Sequence, residues 1–249
     1  MKYGYKITII VLASMFKLSS LWGQTDAATL KISYKAAFKS CVERPQLYDE
    51  MTLLIGAHSS CFYSVTNKEQ QQALDSVVRA TGGNLSQVLN ASSRMRASSK
   101  LGQRYVILKN YPAENRLTYT TELVGNTAFK YEEPMPAFEW DLLEGDSVVA
   151  EYTCNKARTT FRGRTWTVWY TPDITISEGP WKLCGLPGLI LKAVSDHAYY
   201  TFECTAIQKA DADKIVLPHK TFTNTNAVDL QKLEILMVTD PQEIMVRLK

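Results

Sequence analysis

Three histidines, five cysteines and one pair of alternating arginines are the residues here whose types could do chemistry. The histidines are His58, His197 and His219. A Ser-His-Asp or Cys-His centre needs only one histidine, so their scarcity leaves a hydrolase open. The motifs that would specify such chemistry are missing: there is no G-x-S-x-G elbow, no H-E-x-x-H and no P-loop. His197 falls in Ser195-Asp196-His197, which reads as a hairpin turn with a solvated side chain. Cys154 or Cys184 could be a nucleophile, whereas an oxidising compartment favours a disulfide or a buried thiol. No spacing among Cys41, Cys61, Cys154, Cys184 and Cys204 is C-x-x-C, and five cysteines allow two intrachain bridges at most. Clustered metal ligands at useful spacing are also missing. We therefore assign no catalytic residue, no metal and no cofactor from the sequence. Arg162 and Arg164 alternate onto one strand face, where they can hold an anion or a carboxylate, or form a solvated edge.

Beside the arginines runs an aromatic strand. Trp166, Val168 and Tyr170 share one face, and Thr167, Trp169 and Thr171 share the other. Each face carries a tryptophan. One face can pack in the core with the other beneath the segment around Trp181, or one can line an apolar cavity. Downstream, Gly185-Leu186-Pro187-Gly188-Leu189-Ile190 reads as a folding device. Pro187-Gly188 suits the centre of a type II turn, and Leu189-Ile190-Leu191 suits a strand buried on both faces. The other reading of this hexapeptide is a loop that closes over a ligand.

The elements that must position these residues are mostly strands. Leu30, Ile32, Tyr34, Ala36 and Phe38 alternate with polar residues, as in a half-buried strand. A second apolar stretch, Met51–Tyr63, is interrupted at Gly56. A helix is predicted from a capping box at Thr66 and Glu69 to Ala80, stopping at Gly82-Gly83. Residues 84–100 form a weak second helix or a loop. Further strands are predicted at Tyr105–Lys109, Leu117–Val124, Ala128–Glu132, Phe138–Leu143, Ser147–Thr153, Thr165–Thr171, Leu189–Val194 and Tyr199–Ile207. Turns fall between them, including Gly125-Asn126 and Glu144-Gly145-Asp146. Residues 221–249 read as partly helical, broken at Asp240-Pro241. This spacing means an antiparallel meander rather than a βαβ fold. The fold class is mainly β (α+β): a strongly curved antiparallel sheet or half-barrel with one or two covering helices.

The first residues are expected to be an export signal. Lys2 and Lys6 precede an apolar run from Ile7 to Phe16, and Ser19, Ser20 and Gly23 lead to a cut before Gln24. The apolar run is too short to span a bilayer. The chain has 249 residues and a net charge of +3, from 28 basic and 25 acidic residues. Residues 1–23 hold Lys2, Lys6 and Lys17 and no acid, so residues 24–249 carry 25 basic and 25 acidic residues. The apparent basicity belongs to the signal and gives no support to nucleic-acid binding. We expect a single β-rich domain over 24–249, with no membrane span.

One segment carries a resemblance. It runs Phe161-Arg162-Gly163-Arg164-Thr165-Trp166-Thr167-Val168-Trp169-Tyr170, then Gly179-Pro180-Trp181-Lys182-Leu183-Cys184, then the hexapeptide Gly185–Ile190. With Ile55-Gly56 and Cys61-Phe62-Tyr63-Ser64 upstream, it resembles the GLPGLI family of exported proteins from Bacteroidetes-type bacteria. That resemblance implies export and no settled activity. The expectation is a non-catalytic protein of the periplasm or cell surface that binds an apolar ligand, such as a lipid or acyl chain. Trp166, Trp169, Tyr170, Trp181, Arg162 and Arg164 are its candidate binding residues. The alternatives are an interaction module for an envelope protein at the outer membrane, and a hydrolase.

Overall fold

The computed structural model describes residues 26–39, 45–97, 102–123, 127–211 and 213–247. The expected export signal, Cys41 and the Gly125-Asn126 turn lie outside these residues.

Alternation sets the architecture. Strands β1 (Asp26–Phe38), β2 (Leu47–Gly56), β3 (Ser60–Ser64), β4 (Val106–Lys109), β5 (Arg116–Glu122) and β6 (Ala128–Pro134) make half of one sheet. The other half is β7 (Asp141–Val149), β8 (Tyr152–Phe161), β9 (Arg164–Thr171), β10 (Leu189–Ser195) and β11 (Tyr200–Lys209). Two short strands, β12 (Lys214–Ile215) and β13 (Phe222–Asn224), complete it. The order is β13-β6-β5-β4-β3-β2-β1-β11-β10-β9-β8-β7, with β12 also on β1. Pairing is antiparallel except for β13 on β6. The period of two puts one face of every central strand into the core. A rung of paired residues runs along that face from Ile207 through Ile32, Leu53, Phe62 and Ile107 to Tyr119 and Tyr131.

Several boundaries differ from the sequence reading. Met51–Tyr63 is a hairpin, β2–β3, and not one stretch. Helix α1 (Val65–Ala80) is capped by Ser64, whose hydroxyl accepts from the Asn67 N–H at 3.0 Å, rather than by Thr66. It buries no side chain fully, so it covers little of the sheet. Residues 85–97 form a true helix, α2 (Leu85–Ala97). The turn expected at Glu144-Gly145-Asp146 lies inside β7, as an irregularity between Leu143 and Ser147. The reversal comes instead at Ala150-Glu151, with φ of 49° and 71°. These signs suit a two-residue type I′ turn. Strand β8 was absent from the sequence reading, because Asn155, Lys156, Arg158 and Thr160 hide its small buried residues Cys154, Ala157 and Thr159. Helices α3 (Ala227–Thr239) and α4 (Pro241–Arg247) meet the expected break at Asp240-Pro241.

Between β9 and β10 the chain crosses the core face without regular structure, over residues 172–188. It is fastened there by a lysine. Lys109 is 0% exposed, and its ammonium sits 2.5 Å from the Glu178 carboxylate. It also donates to the Gly179 and Leu183 carbonyls at 2.9 and 3.1 Å. Ser60 donates to Glu178 at 2.9 Å. The Pro187-Gly188 step is not a type II turn. Gly188 N–H donates to the Leu186 carbonyl at 2.8 Å, a three-residue γ-turn centred on Pro187. Glycine is needed at 188 because a Cβ would stand 2.8 Å from the Thr171 carbonyl carbon and closer still to its oxygen. Leu189 and Ile190 then enter the core, where the Tyr34 hydroxyl donates to the Ile190 carbonyl at 2.8 Å.

The four described cysteines, Cys61, Cys154, Cys184 and Cys204, are free and buried. Burial raises all four thiols, Cys61 to about 12 and Cys204 to about 11. These four should alkylate only on unfolding, which mass spectrometry after iodoacetamide at pH 8 checks.

Removing one partner of a buried ion pair costs about 3–5 kcal/mol, since the other charge stays in the core. We therefore expect Lys109→Met to lower stability by about that much, read from the urea midpoint. Adding Glu178→Gln should recover part of the loss. If the double variant simply sums the two single losses, the pair does not fasten the segment.

Candidate functional site

The crossing segment fills only part of the core face. Beside it lies a half-open cavity of about 870 Å³. One wall comes from β5 and β6 and the approach to β4. There Tyr105, Tyr119 and Tyr131 stand in a stack, with ring centroids 5.8 and 5.0 Å apart. The facing wall comes from β9, β11 and the crossing segment. There Trp166 and Trp181 are stacked at 5.4 Å, with Phe161 edge-on to Trp181 at 5.7 Å. Helix α3 contributes a third side with Leu230, Glu234 and Met237.

The two carbonyls held by Lys109 flank Trp181 and Lys182, so the anchor also aims these two side chains. Trp181 takes a left-handed backbone, φ 55°. That region is costly for a bulky residue and persists only where surrounding contacts fix it. Lys182 is 1% exposed. Its ammonium donates to the Tyr131 hydroxyl at 2.8 Å and to Glu133 at 2.5 Å, and lies 5.2 Å from the Tyr119 ring centroid. The other Glu133 oxygen takes Arg162 at 2.5 Å. Arg162-Gly163 is the β8–β9 turn, with φ of 50° and 74°, again the type I′ signs. One carboxylate on β6 thus gathers a cation from the crossing segment and a cation from the β8–β9 turn. Arg164 lies over the Tyr200 ring at 4.9 Å, and among the described residues no carboxylate pairs with it. Among the described residues the Trp166 indole N–H, sealed in this wall, finds no acceptor. An unmade hydrogen bond of this kind costs about 1–3 kcal/mol.

Of the six candidate binding residues, Arg162, Arg164, Trp166 and Trp181 line the cavity. Trp169 and Tyr170 do not. Trp169 points from the opposite face, between Lys156 and Lys192, whose ammonium groups lie 5.5 and 5.6 Å from its ring centroid. Tyr170 is buried in the core. The hexapeptide packs in the filled part of the face and stands outside the lining. Lys182, Glu133, Glu234 and the tyrosine stack are not among the candidates that the sequence singles out. The available signal was parity, since Tyr119 and Tyr131 fall on the inward positions of β5 and β6. All three histidines are exposed and none lines the cavity. Among the described residues no group of three His, Cys, Asp or Glu side chains could hold a metal ion.

Burial lowers the Lys182 ammonium from its usual 10.5 to about 8, against the pull of Glu133 and Glu234 and with Arg162 adding to the fall. Burial likewise raises Glu234, against Lys182. From pH 8 towards 10.5 the unfolded chain holds the lysine proton that the folded chain has released, so stability rises with pH there. We expect urea midpoints between pH 7.5 and 9.5 to climb more steeply in the natural chain than in Lys182→Met. Parallel slopes would show that Lys182 titrates as in water.

Residues 160–192 match a family model described as "Protein of unknown function (Porph_ging)". The match shows a Bacteroidetes-associated domain of unknown function over these residues; the GLPGLI resemblance is finer than what this match shows. It spans Arg162, Arg164, Trp166, Glu178, Trp181 and Lys182, hence the tryptophan wall and its anchor. Among curated proteins none matches. Two solved structures of PNGF-II, in P21 and C2 space groups, share 18% identity over 83% of this chain, with TM-scores of 0.54 and 0.53. The chain spans about a third of their length, 33% and 32%. A LolA superfamily protein, NE2245 from Nitrosomonas europaea, aligns over 79% of this chain and 90% of its own at 9% identity and a TM-score of 0.29. No helix among the described residues is long and apolar enough to cross a membrane.

Proposed function

We propose that this chain is an exported, non-catalytic binding protein that takes a flat, largely apolar molecule into the cavity between its tyrosine and tryptophan walls. The observation that carries the reading is the facing pair of aromatic stacks around about 870 Å³ of open space, a volume usual for small-molecule sites. Aromatic faces bind rings and methylene chains through area and edge contacts.

A sheet rolled into a half-barrel belongs to the same reading. Strands β6 and β8 are second and eleventh in the strand order. In a flat sheet nine steps would separate them by about 43 Å. Yet Glu133 at the end of β6 and Arg162 just after β8 are 2.5 Å apart. That approach supports curvature of the sheet between them. The interaction-module reading draws on less, namely Leu142 and Val148, exposed by 67% and 72% on the edge strand β7.

N-phenyl-1-naphthylamine is a neutral probe whose fluorescence rises in apolar sites. It should bind the chain near one to one. Trp181→Ala should weaken it by roughly tenfold, about the worth of one aromatic stacking contact. Trp169→Ala, on the opposite face, should leave it unchanged. No saturable binding, or equal loss in both variants, would sink the cavity as the site.

A further inference from the structure

The charge on the cavity does not balance. Among the described residues, Arg104, Arg162, Arg164 and Lys182 line it against two carboxylates, Glu122 and Glu234. Glu122 is already taken by Lys220 and by the amide of Gln71. From behind the wall, Glu133 answers both Lys182 and Arg162, one negative charge for two positive ones. Among the described residues Arg164 is held by ring faces, with Tyr200 at 4.9 Å and Tyr199 at 5.9 Å. A guanidinium on a ring face keeps its in-plane N–H donors pointing outward, and these fit the paired oxygens of an acid. Next to it lies the unanswered N–H of Trp166, covered by Trp181. One local cost therefore stands at this point of the cavity: the unmade hydrogen bond of Trp166. An acceptor that reached this N–H would remove that cost.

We infer that the ligand is an anionic amphiphile. Its acidic head group, a carboxylate or a phosphate ester, is held by Arg164 and reaches the Trp166 N–H, while its apolar body lies between the aromatic walls. This rests on the cavity reading above and names the ligand class for it. Arg162 and Lys182 add positive field on the same side, and Glu133 fixes where they stand. A neutral lipid of the same shape would leave Arg164 without an acid, and that difference is what the site selects for.

Two fluorescent probes separate the inference from the reading beneath it. 8-Anilinonaphthalene-1-sulfonate has the same rings as N-phenyl-1-naphthylamine and one added sulfonate. At low salt we expect the natural chain to bind the sulfonate probe roughly tenfold more tightly or better, the usual scale for a hydrogen-bonded charge pair. Arg164→Gln should remove that advantage, read as the ratio of the two probes' affinities within the same variant. Arg158→Gln, exposed on β8 outside the lining, should change neither. Bound sulfonate probe should be displaced by dodecanoate or by dodecyl phosphate ahead of dodecanol, and the stronger of the two anions identifies the head group. Equal binding of both probes, an advantage that survives Arg164→Gln, or displacement by dodecanol as readily as by the anions would overturn the inference while leaving the cavity intact. Failure of the neutral probe as well would remove the cavity reading itself.

Discussion

Lys109 sits at the end of β4 with its ammonium in the apolar core, and everything on that face of the sheet is arranged around its needs. A buried ammonium must find oxygen, since leaving water costs several kcal/mol per ion even after relaxation. The sheet offers Lys109 none directly. Its oxygens all come from the crossing segment, as the Glu178 carboxylate and the Gly179 and Leu183 carbonyls. Ser60, one strand over, completes Glu178. The segment cannot lift away without leaving an unpaired charge behind, so 17 residues with no helix or strand are held on the sheet face. A connection of that length inside a packed fold calls for such a device.

The same anchor determines what the segment presents. Residues between two pinned carbonyls have little freedom, and Trp181 accepts a left-handed backbone as the consequence. Its ring then covers Trp166, and Lys182 reaches Glu133 across the face. The second ion cluster depends on the first in this sense. Lys109 and Glu178 set the height of the segment, and Lys182, Glu133 and Arg162 tie it to the far strands. The glycines close by serve approach and not flexibility. Gly179 lies so near Ile190 that a Cβ would stand 2.8 Å from the isoleucine Cβ.

Much of this was legible in the sequence, and the rest was hidden for physical reasons. Period-two patterns located β1, β5, β9 and β11 because one of their faces is apolar. Strand β8 escaped because its inward residues are Cys154, Ala157 and Thr159, which are too small or polar to stand out. Parity separated Trp166 from Trp169 correctly but could not say which face the protein covers. The crossing segment covers Trp166 with Trp181, and Trp169 is left to two lysines. The ion pairs were out of reach for a different reason. Lys109 and Glu178 are 69 residues apart in the chain, and nothing local marks a lysine as buried except its parity with Ile107.

That the cavity stays open also follows from these contacts. Each aromatic wall is already satisfied internally, the tyrosines in their own stack and Trp181 against Trp166 and Phe161. Closing the walls on each other would gain apolar contact, at the cost of stripping water from Arg164 and Glu234. A charge without a partner is far more costly to bury than a ring is favourable to bury. The cations that hold the walls in place therefore also hold them apart. A ligand that brings its own acid removes this obstacle and leaves the aromatic area to be covered.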